Sequence, residues 1–223
     1  MCLIVLGWQA DERHRLRVAA NRDEFHARRA APASFWRDQP GILAGRDLQA
    51  MGTWMGVSRT GRFAAVTNYR GAGEPAAEES RGALVSRFLA SGASAAAYIT
   101  EVSARASRYS GFNLLVCDRD ELWWMSNRDG SPRRLEPGWY ALGNLLLDSP
   151  DVQPIKQRIA QTPPSVEASF SALSAAKIVD PRYGTRCSSV LLDAGDTVRY
   201  AERAFAADGA DAETVHFQFS AQG

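Results

Sequence analysis

Cys2 directly follows the initiator methionine in Met1-Cys2-Leu3-Ile4-Val5-Leu6. Cysteine is small enough for removal of Met1 to expose it, which puts a thiol and a free α-amine on one residue. An α-amine has an ordinary pKa of about 7.7–8.0, so near neutrality much of it is an unprotonated base. A base held beside a thiol is a minimal activated nucleophile, suited to attack on an acyl carbon. From position alone the plainer reading is favoured, a small apolar residue opening a buried strand. The residues further along the chain shift the balance toward chemistry.

The first of these is Asn21-Arg22-Asp23-Glu24, four polar residues closing an apolar stretch. Taken alone they are turn formers and solvated charges. Their meaning depends on the elements around them. Cys2–Trp8 is apolar and β-branched, and Arg15–Ala20 alternates charged with apolar residues. Asp11-Glu12-Arg13 lies between them as a turn, so the chain is expected to open with a hairpin. A strand beginning at Cys2 and an antiparallel neighbour ending at Asn21–Asp23 meet at one end of the sheet. Asp23 would then orient the terminal amine.

The remaining elements follow the same patterns. Ala31–Gln39, with Pro32 inside it and Pro40 directly after it, reads as a loop. Thr53–Ser58 and Phe63–Asn68 form a strand pair around Arg59-Thr60-Gly61, and Gly71–Glu79 is an acidic loop. Ser80–Ser91 and Ser94–Ser107 read as helices. Phe112–Cys117 and Leu122–Ser126 are a further strand pair, and Trp139–Leu142 a strand ending at Gly143-Asn144. Val152–Gln161 and Ser165–Ala175 are expected helices separated by Pro163-Pro164. Cys187–Leu192, Val198–Ala204 and Val215–Phe219 close the chain as strands. This order lacks the regular strand–helix alternation of a parallel doubly wound sheet. It predicts an α+β protein with antiparallel sheets and helices on their outer faces, in a single domain spanning 1–223.

Several motifs together resemble a known family. Met1-Cys2, Asn21-Arg22-Asp23-Glu24, Gly52-Thr53-Trp54-Met55-Gly56-Val57 and the run from Gly61 to Arg70 are similar to the NRDE, or transport and Golgi organisation 2, family. Gly143-Asn144 with Asp148, and Tyr183-Gly184-Thr185-Arg186-Cys187-Ser188-Ser189-Val190, continue the match in order. The family in turn resembles, more distantly, N-terminal-nucleophile hydrolases of the bile-salt hydrolase and penicillin V acylase type. That resemblance implies a four-layer αββα sandwich and cleavage of an acyl-amide C–N bond with no cofactor required. It implies Cys2 as nucleophile, Asp23 as the carboxylate holding the thiol and amine, and Asn68 and Asn144 around the oxyanion. Arg186 is the implied cation near the thiol, and Asn21, Arg22, Trp54 and Tyr69 are implied substrate contacts. The chemistry suits the residue types: a nearby cation favours thiolate, and a side-chain amide donates to the developing oxyanion. Where the bile-salt hydrolases carry an arginine before the asparagine, this chain has Ala20; Arg22 stands two positions on, on the same strand face.

The eukaryotic family is associated with haem trafficking, so the resemblance also implies haem as an alternative ligand to an acyl amide. His14, His26, His216, Met51, Met55, Cys117 and Cys187 are the available ligands, and none forms a Cys-x-x-Cys-His motif. Trp36, Trp54, Trp123, Trp124 and Trp139 offer flat apolar surface, although tryptophan in a sheet core needs no cofactor. A third class, a non-catalytic interaction module, applies if the site has lost its chemistry.

Composition narrows the alternatives. The net charge is +1, from 26 basic and 25 acidic residues without a basic block, which argues against nucleic acid. The opening apolar run is too short for a signal peptide or membrane span. Three widely spaced cysteines form neither a disulfide framework nor a zinc pattern, so a reducing cytoplasm is expected.

Overall fold

The computed structural model describes residues 2–71 and 78–222, so most of the loop expected over Gly71–Glu79 lies outside the described residues. The chain opens with the expected hairpin, β1 (Leu3–Trp8) against β2 (Leu16–Phe25). β2 does not stop at Asn21. It runs through Asn21-Arg22-Asp23-Glu24 to Phe25, because a late strand keeps pairing with it over that stretch. Part of the expected Ala31–Gln39 loop is instead β3 (Ala30–Phe35), paired with β4 (Ile42–Asp47). β3 is an edge strand whose register shifts between Ala31 and Ser34, the kind of place where a strand tolerates a proline such as Pro32.

β5 (Met55–Ser58) and β6 (Phe63–Asn68) follow, then α1 (Arg81–Ala90) and α2 (Ala95–Ala104). Ser94 caps α2 by accepting from the Ala97 amide, which satisfies one otherwise orphaned donor of its first turn. β7 (Phe112–Cys117), β8 (Leu122–Ser126) and β9 (Asp129–Leu135) form a meander, and β10 (Gly138–Leu142) comes next. The sequence gives no strand signal for β9: it is polar, contains Pro132, and lies at a sheet edge. α3 (Gln153–Gln161) and α4 (Val166–Leu173) precede β11 (Tyr183–Asp193), β12 (Thr197–Phe205) and β13 (Asp211–Ser220). β11 begins at Tyr183 rather than at the expected Cys187, which extends its pairing along β2.

The chain divides into two compact units. The first comprises Met1–Arg28, Pro137–Gly143 and Leu147–Ala221. Its six-stranded antiparallel sheet has the order β10-β1-β2-β11-β12-β13. Strand alternation sends Leu3, Val5, Ala19, Val190, Leu192 and Ala201 to one face, where they pack with Ile159, Phe170 and Leu173 of α3 and α4. Alternate positions, including Ile4, Leu6, Ala20, Arg22, Ser189 and Glu202, take the opposite face and are also buried.

The second unit comprises Arg29–Glu136, Asn144–Leu146 and Gln222–Gly223. Its seven strands, β3 to β9, lie in sequence order, all antiparallel. Ala64, Val66, Leu114 and Val116 pack under Leu84, Val85, Phe88, Leu89, Tyr98, Ile99 and Val102 of α1 and α2. Each such large side chain contributes about 1.5–3 kcal/mol by leaving water. Two motif glycines serve this packing. A Cβ on Gly52 would come within 2.6 Å of the Gly82 backbone in α1, and one on Gly56 within 2.9 Å of Leu89.

Candidate active site

Register in the first unit determines what lies near Cys2. Leu3 pairs with Asn21, so the residue before Leu3 falls beside the Arg22–Asp23 end of β2. The Cys2 thiol lies 4.0 Å from the Asp23 carbonyl, within reach for donation from sulfur. Burial raises the thiol pKa and the Asp23 charge adds to the rise, while the Arg22 charge opposes it.

Asp23 is 6% exposed and is held from β11, whose Thr185 is its register partner. The Thr185 hydroxyl donates to Asp23 Oδ1 at 2.6 Å, and the Tyr183 hydroxyl donates to the Asp23 carbonyl at 3.1 Å. Burial pushes the Asp23 carboxyl up to about 6, against the Thr185 hydrogen bond and the Arg22 charge, which favour the ionised form. A carboxyl in that range switches charge near neutrality. Neither Thr185 nor Tyr183 stands out in the sequence as a site residue. The available signal is their place in the Tyr183–Val190 motif together with strand alternation, which puts both on one face.

Arg186 and Asn21 take other places. The β2–β11 register shifts between Thr185 and Cys187, leaving Arg186 at the bulge. Its Nη1 donates to the carbonyls of Phe25, His26 and Arg28, each at 3.2 Å, so it tethers the chain leaving β2. The Arg22 charge acts on both Cys2 and Asp23. Asn21 is fully buried on the helix-covered face. Its amide donates to the Leu173 carbonyl at 3.2 Å and accepts from Ser188 Oγ at 2.7 Å. Asn21 thus forms a bracket between β2, β11 and α4.

The expected oxyanion asparagines belong to the second unit. Asn144 Nδ2 donates to the Asn68 carbonyl at 2.6 Å, and the Arg70 amide donates to the Asn144 carbonyl at 2.7 Å. Asn144 Oδ1 is buried without a hydrogen-bond partner. The fully buried Asn113 of β7 steadies the same segment, donating to the Leu145 carbonyl at 2.9 Å and to Thr67 Oγ1 at 3.3 Å. Its signal in the sequence is an amide inside the apolar strand Phe112–Cys117. Asn68 is exposed, and Trp54 and Tyr69 are partly exposed. Asp148, also in the matched motifs, sits at φ 59° and exchanges hydrogen bonds with Ala141, its carboxylate at 2.9 Å from the Ala141 amide.

The residues considered as haem ligands have varied surroundings. His14 Nδ1 lies 3.0 Å from Asp11 Oδ1, and His26 Nε2 lies 3.0 Å from the Asp180 carbonyl. Met55, Cys117 and Cys187 are buried, whereas Met51 and His216 are exposed and belong to different units. Among the described residues no cluster of three or more histidine, cysteine, aspartate or glutamate side chains could hold a metal ion. No helix among them is long and apolar enough to cross a membrane.

Two antiparallel sheets, each with its own helices, supply the layers of the expected α+β class. A solved structure described as a Caenorhabditis elegans N-acylethanolamine-hydrolyzing acid amidase ortholog has the same fold. The likeness covers 86% of this chain and 92% of that one, with a TM-score of 0.50 and 12% identity. The model of the family described as Transport and Golgi organisation 2 matches residues 1–165. A bovine Transport and Golgi organization protein 2 homolog is 32% identical over the whole of both chains. A mouse homolog is 37% identical over 67% of this chain and 59% of its own length. This chain belongs to the transport and Golgi organisation 2 family.

Proposed function

We propose that this chain carries an N-terminal-cysteine amidohydrolase site, active once Met1 is removed, that cleaves the C–N bond of an acyl amide. The observation that carries the reading is the convergence at one sheet end of the Cys2 thiol, the buried Asp23 carboxyl and the Arg22 charge. In the proposed reaction the Cys2 α-amine takes the thiol proton and the sulfur bonds to the acyl carbon. The C–N bond then breaks as the ammonium returns that proton to the leaving nitrogen. Water attacks the resulting thioester, releasing the acid and restoring the thiol. Asp23, ionised above about pH 6, accepts from the terminal ammonium and fixes its orientation.

The test is a panel of N-acyl amino acids and N-acylethanolamines assayed with mature wild-type protein and the Cys2→Ala variant. Turnover by wild type that disappears in a folded Cys2→Ala protein supports the reading. Absence of Cys2-dependent turnover across the panel counts against it.

A further inference from the structure

We infer that Tyr183 is a positioning residue for the Cys2 thiol, acting through the Asp23 carbonyl oxygen that both groups address. The inference rests on the nucleophile reading of Cys2 but is tested without a substrate. Tyr183 donates to that oxygen at 3.1 Å, and the thiol approaches it at 4.0 Å. Tyr183 and Thr185 sit on one face of β11 and clamp Asp23 at two points, Tyr183 at the backbone carbonyl and Thr185 at the carboxylate. The Tyr183 ring is itself fixed by an edge contact to Phe25, with centroids 5.2 Å apart at 75°. Phe25 is 60% exposed and is the register partner of Tyr183, so the pair forms an aromatic step at this end of the sheet.

The chemistry gives the arrangement a direction. A carbonyl oxygen is the negative end of a dipole, and it disfavours a thiolate beside it. A hydroxyl donating to that oxygen offsets part of the dipole. Without the hydroxyl, the bare carbonyl both binds the protonated thiol more strongly and repels the thiolate more strongly. Both effects keep the proton on sulfur. Among the described residues the charged groups acting on the thiol are Asp23 and Arg22 of β2, and a Tyr183→Phe change leaves both in place.

The experiment is the pH dependence of Cys2 alkylation by iodoacetamide, read by peptide mass spectrometry on full-length protein of matched Met1 status. Wild type is compared with Tyr183→Phe and Phe25→Leu. In Tyr183→Phe the midpoint rises by about half a pH unit or more, so alkylation near pH 7 slows about threefold or more. In Phe25→Leu, which keeps the hydroxyl, the midpoint stays at the wild-type value. A Tyr183→Phe midpoint that is unchanged or lower overturns the inference, as does an equal rise in both variants, which would assign the effect to packing. Failure of every amide in the substrate panel leaves this readout intact, so the two readings fail separately.

Discussion

The two units use similar architecture for different ends. Each has one antiparallel sheet with helices on a face, but in the first unit the sheet end that carries Cys2 is crowded with ionisable side chains. Asp23 and Arg22 are almost wholly buried there, and the carboxyl is pushed up to about 6. The second unit gathers neutral amides at the Asn68–Asn144 segment, where the Asn144 and Asn113 side chains donate to backbone carbonyls in hydrogen bonds that do not depend on pH. Its core under α1 and α2 is apolar and closely packed. One unit holds groups at a cost in stability so that they can titrate. The other holds geometry without titration.

The largest expected effect probes the second unit. Phe88 is fully buried, packs against Tyr98 at 5.1 Å, and lies under the Arg62 guanidinium at 4.1 Å. Phe88→Ala should lower unfolding free energy by about 3–5 kcal/mol in denaturant titration, with the same loss at pH 5 and pH 8. A loss that varied strongly with pH would erase the contrast between the units.

A smaller effect of opposite sign is expected in the first unit. The Asp23 carboxyl binds its proton more tightly when folded, at about 6 against an ordinary 3.8, so between those values the native state carries the extra proton. Its contribution to stability is therefore most favourable below about pH 4 and declines as pH rises through about 6. Asp23→Asn keeps an acceptor for Thr185 and removes the buried charge. It should stabilise the protein by about 2 kcal/mol at pH 8 and by little at pH 4, while abolishing Cys2-dependent turnover. Equal melting temperatures for variant and wild type at both pH values would show that Asp23 is not stored at a cost.

Much of this contrast is legible in the sequence, for reasons particular residues make clear. β1, β6 and β7 are apolar enough to read as strands, and the helices α1 and α2 follow from the spacing of Leu84, Phe88 and Leu89 and of Tyr98, Ile99 and Val102. The hairpin alone places Cys2 near Asp23. The strands that escape notice, β3 and β9, are proline-bearing edges whose residues need no apolar face. The partners of Asp23 are hidden for a different reason. Tyr183 and Thr185 lie more than a hundred residues away, and only the β2–β11 register brings them to it. The same register, by its bulge, turns Arg186 toward the carbonyls after β2, a redirection no local pattern announces.

The central claim is that Cys2 acts as an N-terminal nucleophile, and intact mass spectrometry of untagged protein before and after brief iodoacetamide treatment tests it most directly. Cys117 and Cys187 are buried, so fast labelling reports Cys2. The account predicts a mass lower by one methionine residue and a single rapid adduct that maps to Cys2. Full retention of Met1 would leave Cys2 without a free amine as base and would contradict the account.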